Sequence, residues 1–228
     1  ERLARIQFWV HVSATGTFIW AVHGWHMTWM GTAGMFLVLS FILYLINVIP
    51  AVARAPHWSL TRAYMAVSLT LLALTFLFGI TFVGTLEHLW FPITLGRLAA
   101  HAHLGLIGWL ALTIMGVSYQ LVPMFNVVSR TKPKFGWLAL AVTAASVLTF
   151  AAIMTTDPAR PVRVALSASL TIGPSLWAAD LYRLLTRRAK RRLDIESRST
   201  FVSLAWLAVT MALGMGAAGG TPFTTDAE

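Results

Sequence analysis

The chain of 228 residues contains no cysteine. That absence excludes disulfides, thiolate metal sites, cysteine-held iron–sulfur clusters and covalent c-type heme attachment. Charge is scarce too: Asp, Glu, Lys and Arg make up 11% of the residues, against about a quarter in soluble domains. The sequence also lacks a phosphate-binding loop, a nucleophile triad and a zinc motif. Any metal or heme must therefore be held by His, Met, Tyr or carboxylates.

What the chain has in plenty is apolar sequence, 57% by residue, with a mean hydropathy of +0.73. The apolar residues fall in seven blocks, at 6–30, 33–52, 62–83, 98–124, 136–154, 162–185 and 201–219. Each is about 20 residues, enough to cross ~30 Å of hydrocarbon at 1.5 Å per residue. Turn chemistry separates them, at Gly31 to Gly34, Pro50 to Pro56, Pro92 to Gly96, Lys132 to Lys134 and Asp157 to Pro161. The expected fold is a single all-α domain, a polytopic integral membrane protein of about seven transmembrane helices whose first partner is the lipid bilayer.

The net charge of +9 does not point to nucleic acid, because the basic residues sit in short stretches between apolar blocks. Assigning alternate loops to two sides places fourteen Lys and Arg on one side, including Arg2, Arg54, Lys132 and the Arg187 to Arg192 cluster. The other side keeps three, Arg97, Arg160 and Arg163. The positive-inside rule then puts the N-terminus in the cytoplasm and the C-terminus outside, in a membrane such as the bacterial inner membrane. Glu1 to Arg5 leads directly into an apolar run with no cleavage site, so no signal peptide is expected. An opening without Met leads us to expect further residues upstream.

Two segments resemble each other: Ala63 to Gly79 (AYMAVSLTLLALTFLFG) and Phe201 to Gly216 (FVSLAWLAVTMALGMG). Two more pair at a similar offset, ARIQFWVHVSATGTF and KPKFGWLALAVTAASV. The offset is about four helices, and repeats of this kind often place sites between the copies.

Histidine is rare at membrane depth, and it tends to be functional there. His57 falls in a loop and His11 in the inner half of the first block, where a helix-to-helix hydrogen bond is expected. His23 and His26 lie roughly 25 to 30 Å along helix 1, at the same outer level as His88, His101 and His103. On helix 4, His101 shares a face with Gly105, Gly108, Leu112, Met115 and Tyr119. Glycines admit close approach, so this face suits either a packed helix or a flat porphyrin. His103 points nearly the opposite way, with Ile107, Leu110 and Ile114. On helix 1, His23 shares its face with Val12, Gly16 and Ile19. Two imidazoles on facing helices are what six-coordinate heme iron requires. The bland reading is a set of interfacial histidines beside Trp25, Trp29 and Trp90. Met27, Met30 and Met35 add soft sulfur near His23 and His26, a weaker case for copper.

The helix-4 stretch AAHAHLGLIGWLALTIMGVSYQLVPMF resembles the helix of heme-copper oxidase subunit I that carries a low-spin heme histidine. His101, Gly105, Gly116, Val122 and Pro123 stand in matching places. The opening ARIQFWVHVSATGTF is similar to a helix start in divergent short-chain and nitric-oxide-reductase branches. The resemblance covers about half the chain and implies a core of four-helix arcs and a heme b on His101. His103 completes a His-x-His pair, which in that family serves two hemes. The family's copper-site motifs and its paired Asp and Asn loops are missing, so oxygen or nitric oxide reduction by this chain alone is not expected.

Three functions follow as expectations. The first is a heme b-binding electron-transfer subunit of a respiratory-type complex, with His101 and His23 as axial ligands, His103 and His26 as alternatives, and other membrane subunits as partners. The second is a non-redox structural or assembly subunit. The third is a copper or heme handling protein.

Overall fold

In the computed structural model, residues 1–54, 57–88, 93–128, 132–187 and 195–218 are described, without the side chains of 83, 86–88 and 196. They form seven helices and no strand: α1 (Arg2–His23), α2 (Met27–Ala53), α3 (Leu60–His88), α4 (Leu95–Phe125), α5 (Gly136–Met154), α6 (Arg160–Thr186) and α7 (Ile195–Ala218). Six of them, α2 to α7, are long and apolar enough to cross a membrane. The protein is thus an all-helical integral membrane protein by length and composition. α1 falls short of that measure because Gln7, His11, Ser13, Thr15 and Thr17 dilute its apolar residues.

The expected boundary between the first two helices moves. Residues 6–30 do not form one helix; the chain turns at Gly24 to His26, and Gly31 and Gly34 lie inside α2. Trp25 takes a left-handed φ of 54°, while the His26 N–H donates to the Ala21 carbonyl at 2.9 Å. Gly31 and Ala33 are buried, so these small residues bring α2 close to a neighbouring helix instead of making a turn. His26 consequently belongs to the hairpin turn and not to helix 1. The expected spans 62–83, 98–124, 136–154 and 162–185 fall inside α3 to α6, 136–154 coinciding with α5, whereas α7 starts at Ile195, six residues before the expected 201.

α1 packs along α2 and α2 along α3, but the core cluster is built from α3, α4, α5 and α6. Its inner members include Tyr64, Leu71, Leu112, Val147 and Leu181. Glycines set the closest approaches. A Cβ at Gly173 would strike the Thr143 hydroxyl and come within 2.8 Å of the Thr143 nitrogen. One at Gly116 would strike Tyr64. α7 packs on α6 and turns Val202, Trp206, Val209 and Leu213 outward, as a helix facing lipid does.

One end of the bundle is tied by polar contacts. Asp180 of α6, 1% exposed, accepts the backbone N–H of Lys134 at 3.0 Å and of Phe135 at 2.7 Å. These precede α5, so Asp180 satisfies donors that the start of a helix leaves unpaired. The same carboxylate takes Arg183 Nη1 at 2.9 Å and the Tyr119 hydroxyl at 3.4 Å. Tyr64 donates to the Gly136 carbonyl at 3.0 Å, and Ser197 of α7 donates to Asn126.

Candidate functional site

α4 carries two of the candidate histidines, His101 and His103. It begins as an α-helix, Leu95–His103, changes to a π-helix over Leu104–Ala111, and returns to α-helix over Leu112–Phe125. π segments are rare and concentrate at functional sites. This one follows directly after His101 and His103, and it spans Gly105 and Gly108.

His101 points toward α3. Its ring lies 5.5 Å from Phe82, edge to face, and 6.4 Å from Phe78. A Cβ on Gly79 would sit 3.2 Å from its Cε1, so only glycine leaves the ring comfortable room. The Nδ1 atom is buried and has no hydrogen-bond partner. An uncommitted buried imidazole nitrogen is costly unless something binds it. Trp109 Nε1, farther along α4, is buried without a partner as well.

The glycine face next to His101 is filled by protein. A Cβ at Gly105 would meet Thr75 at 3.3 Å, and one at Gly108 would meet Leu71 at 3.1 Å and Val147 at 3.3 Å. Of the two expected uses of this face, a packed helix is the one that the structure realises, and there is no slot for a porphyrin over Gly105 and Gly108. The donor chemistry of His101 nevertheless fits an axial heme ligand, since one ring nitrogen is buried and uncommitted.

His23 ends α1 and is exposed, and Gly16 on the same face has no neighbouring atom within 4 Å. α1 packs on α2, while α4 packs on α3, α5 and α6. The expected facing pair of His23 and His101 is therefore not brought together, because α2 and α3 carry the packing between their helices. His26 stacks on Trp20 at 4.6 Å. Met30 is buried, whereas Met27 and Met35 are exposed. Among the described residues no group of three or more His, Asp or Glu is placed to hold a metal ion. His11 is exposed and makes no helix-to-helix hydrogen bond among the described residues. His57 lies between α2 and α3, in a loop as expected, and is exposed. His88 closes α3, beyond the expected span 62–83; its side chain, Trp90 and most of the Arg187 to Arg192 cluster lie outside the described residues.

His103 faces the other way. Its Nδ1 lies 2.8 Å from the Ala99 carbonyl, and its ring packs 4.3 Å from Phe150. A carbonyl only accepts, so Nδ1 carries a proton and, in the neutral ring, Nε2 keeps the lone pair. The residue lines a cavity of about 550 Å³ between α4, α6 and α7. Of the face expected around His103, Ile107 and Ile114 line the cavity and Leu110 does not, while Met115, expected on the His101 face, does; the sequence held no sign that α6 and α7 would leave a space before them.

No family model matches the chain, and neither a curated protein nor a solved structure matches it.

Proposed function

We propose that the protein is a heme b-binding subunit of a membrane electron-transfer complex, with His101 as an axial ligand. The observation that carries this reading is the buried, unpartnered Nδ1 of His101, held among Phe78, Gly79 and Phe82 at the entrance to a π segment. Heme iron is a partner that such a nitrogen can take without donating a hydrogen bond. When bound, the heme supplies one-electron chemistry; the chain supplies the ligand, the aromatic walls and exclusion of water. His23 is not part of this site in the reading, because α1 packs on α2 and not on α4.

The proposal includes the family resemblance, the four-helix arcs and the orientation with the N-terminus in the cytoplasm. A seventh crossing by α1 is supported by its packing along α2, which is itself long and apolar enough to cross a membrane. The absence of copper-site motifs keeps the reading to electron transfer. A visible absorption spectrum of the purified protein tests it. Heme bands are expected, lost in His101→Ala and retained in His23→Ala; a colourless preparation sinks the proposal.

One observation favours a second reading. The glycine face of α4 is filled by Thr75 and Leu71, which suits a structural or assembly subunit that holds no heme. In that case the protein copurifies with a larger membrane complex and adds no absorbance of its own.

A further inference from the structure

We propose that the cavity between α4, α6 and α7 is a binding site for a lipid-soluble quinol, with His103 Nε2 accepting a hydrogen bond from a ring hydroxyl. The proposal stands on the cavity alone and does not require heme at His101.

The argument is an inventory of donors and acceptors. The cavity runs from His103 to Met115 along α4, roughly 18 Å at the helical rise. No charged residue lines it, so a phosphate or carboxylate head would find no counter-charge. The hydroxyls of Thr171, Ser203 and Thr210 each donate to a carbonyl of their own helix, Ala168, Ser199 and Trp206. The Trp177 indole N–H donates to Ser118 Oγ at 2.8 Å. Those four groups offer the cavity no further hydrogen, and only Ser167 is not so engaged. His103, its Nδ1 committed to Ala99, likewise offers the Nε2 lone pair.

A cavity of this kind selects a neutral ligand that donates hydrogen bonds from one end and is apolar over the rest. Its site near the membrane-facing helix α7 makes the bilayer the source. Gly214 of α7 lines the same cavity, and a Cβ there would meet nothing within 4 Å, which leaves width for a flat ring. A quinol on an apolar tail meets each requirement. The oxidised quinone meets them less well, since its carbonyls are acceptors and only the Ser167 hydroxyl is left to donate to them.

The test compares decylubiquinol with decylubiquinone, added anaerobically to the full chain in detergent and followed by Trp fluorescence quenching and melting temperature. The quinol is expected to bind at least tenfold more tightly than the quinone and to raise the melting temperature. His103→Phe should weaken quinol binding tenfold or more, and Gly214→Leu, which fills open space, should abolish it with the fold intact. Equal affinity for the two forms overturns the proposal. So does unchanged quinol binding in both variants, or n-dodecanol binding as tightly as the quinol, which would assign the cavity to lipid chains. Quinol binding that persists in His101→Ala, whether or not colour is lost, separates this site from the heme reading.

Discussion

The two ends of the helical bundle are built on opposite principles. At the Asp180 end the principal polar groups have partners: a buried carboxylate takes two backbone N–H groups, an arginine and a tyrosine, and Tyr64 reaches the Gly136 carbonyl. At the histidine end, the buried Nδ1 of His101 has no partner and His103 looks into a cavity. Membrane interiors penalise unpaired polar groups because no water is at hand to satisfy them. The first arrangement therefore holds the helices together, and the second leaves capacity for a ligand.

The largest expected effect on stability is at the satisfied end. Asp180→Ala leaves the Lys134 and Phe135 N–H groups unpaired, at about 1–3 kcal/mol each, and gives up the contact to the part-exposed Arg183. Thermal unfolding in detergent measures it, and a melting temperature within a degree of the parent would erase the contrast between the two ends. Next comes Gly173→Ala, where the methyl collides with Thr143; overpacking of this kind costs about 1–3 kcal/mol. Its control is Gly214→Ala, which meets open space and should gain up to about 1 kcal/mol from helix propensity.

Tyr64→Phe removes one hydroxyl from the Gly136 carbonyl and should cost about 1 kcal/mol. Smallest of all, His101→Phe should change the stability of heme-free protein by no more than about 1 kcal/mol, because it relieves a buried nitrogen without a partner while giving up the ring's hydrogen bond to the Thr75 backbone. A large loss there would mean that the histidine end is structural too.

Much of this architecture was legible in the residues. The positions of α3 to α7 follow from apolar length, and the glycine face of α4 from helical phase. Gly31 and Gly34 were misread because glycine signals both a turn and a close helix contact; which one it serves depends on what packs against it. Nothing in the sequence marks Asp180 as a tie between helices, since its partners, Lys134 and Phe135, are more than forty positions away. The aliphatic face of His103 was visible as a face, but the space before it depends on where α7 settles on α6. Helix 1 invited pairing with helix 4 by depth alone, and depth carries no information about which helices are neighbours.

The π segment of α4 bears on how the two ends relate. In a plain α-helix, rotating one end rotates the other, and a substitution that shifts Tyr119 would swing His101 with it. Eight residues of wider winding between them set a phase between the two ends that differs from that of a plain α-helix. The chain can then adjust the bearing of its two histidines residue by residue, by inserting or deleting within 104–111, while the tyrosine and aspartate contacts below stay in register.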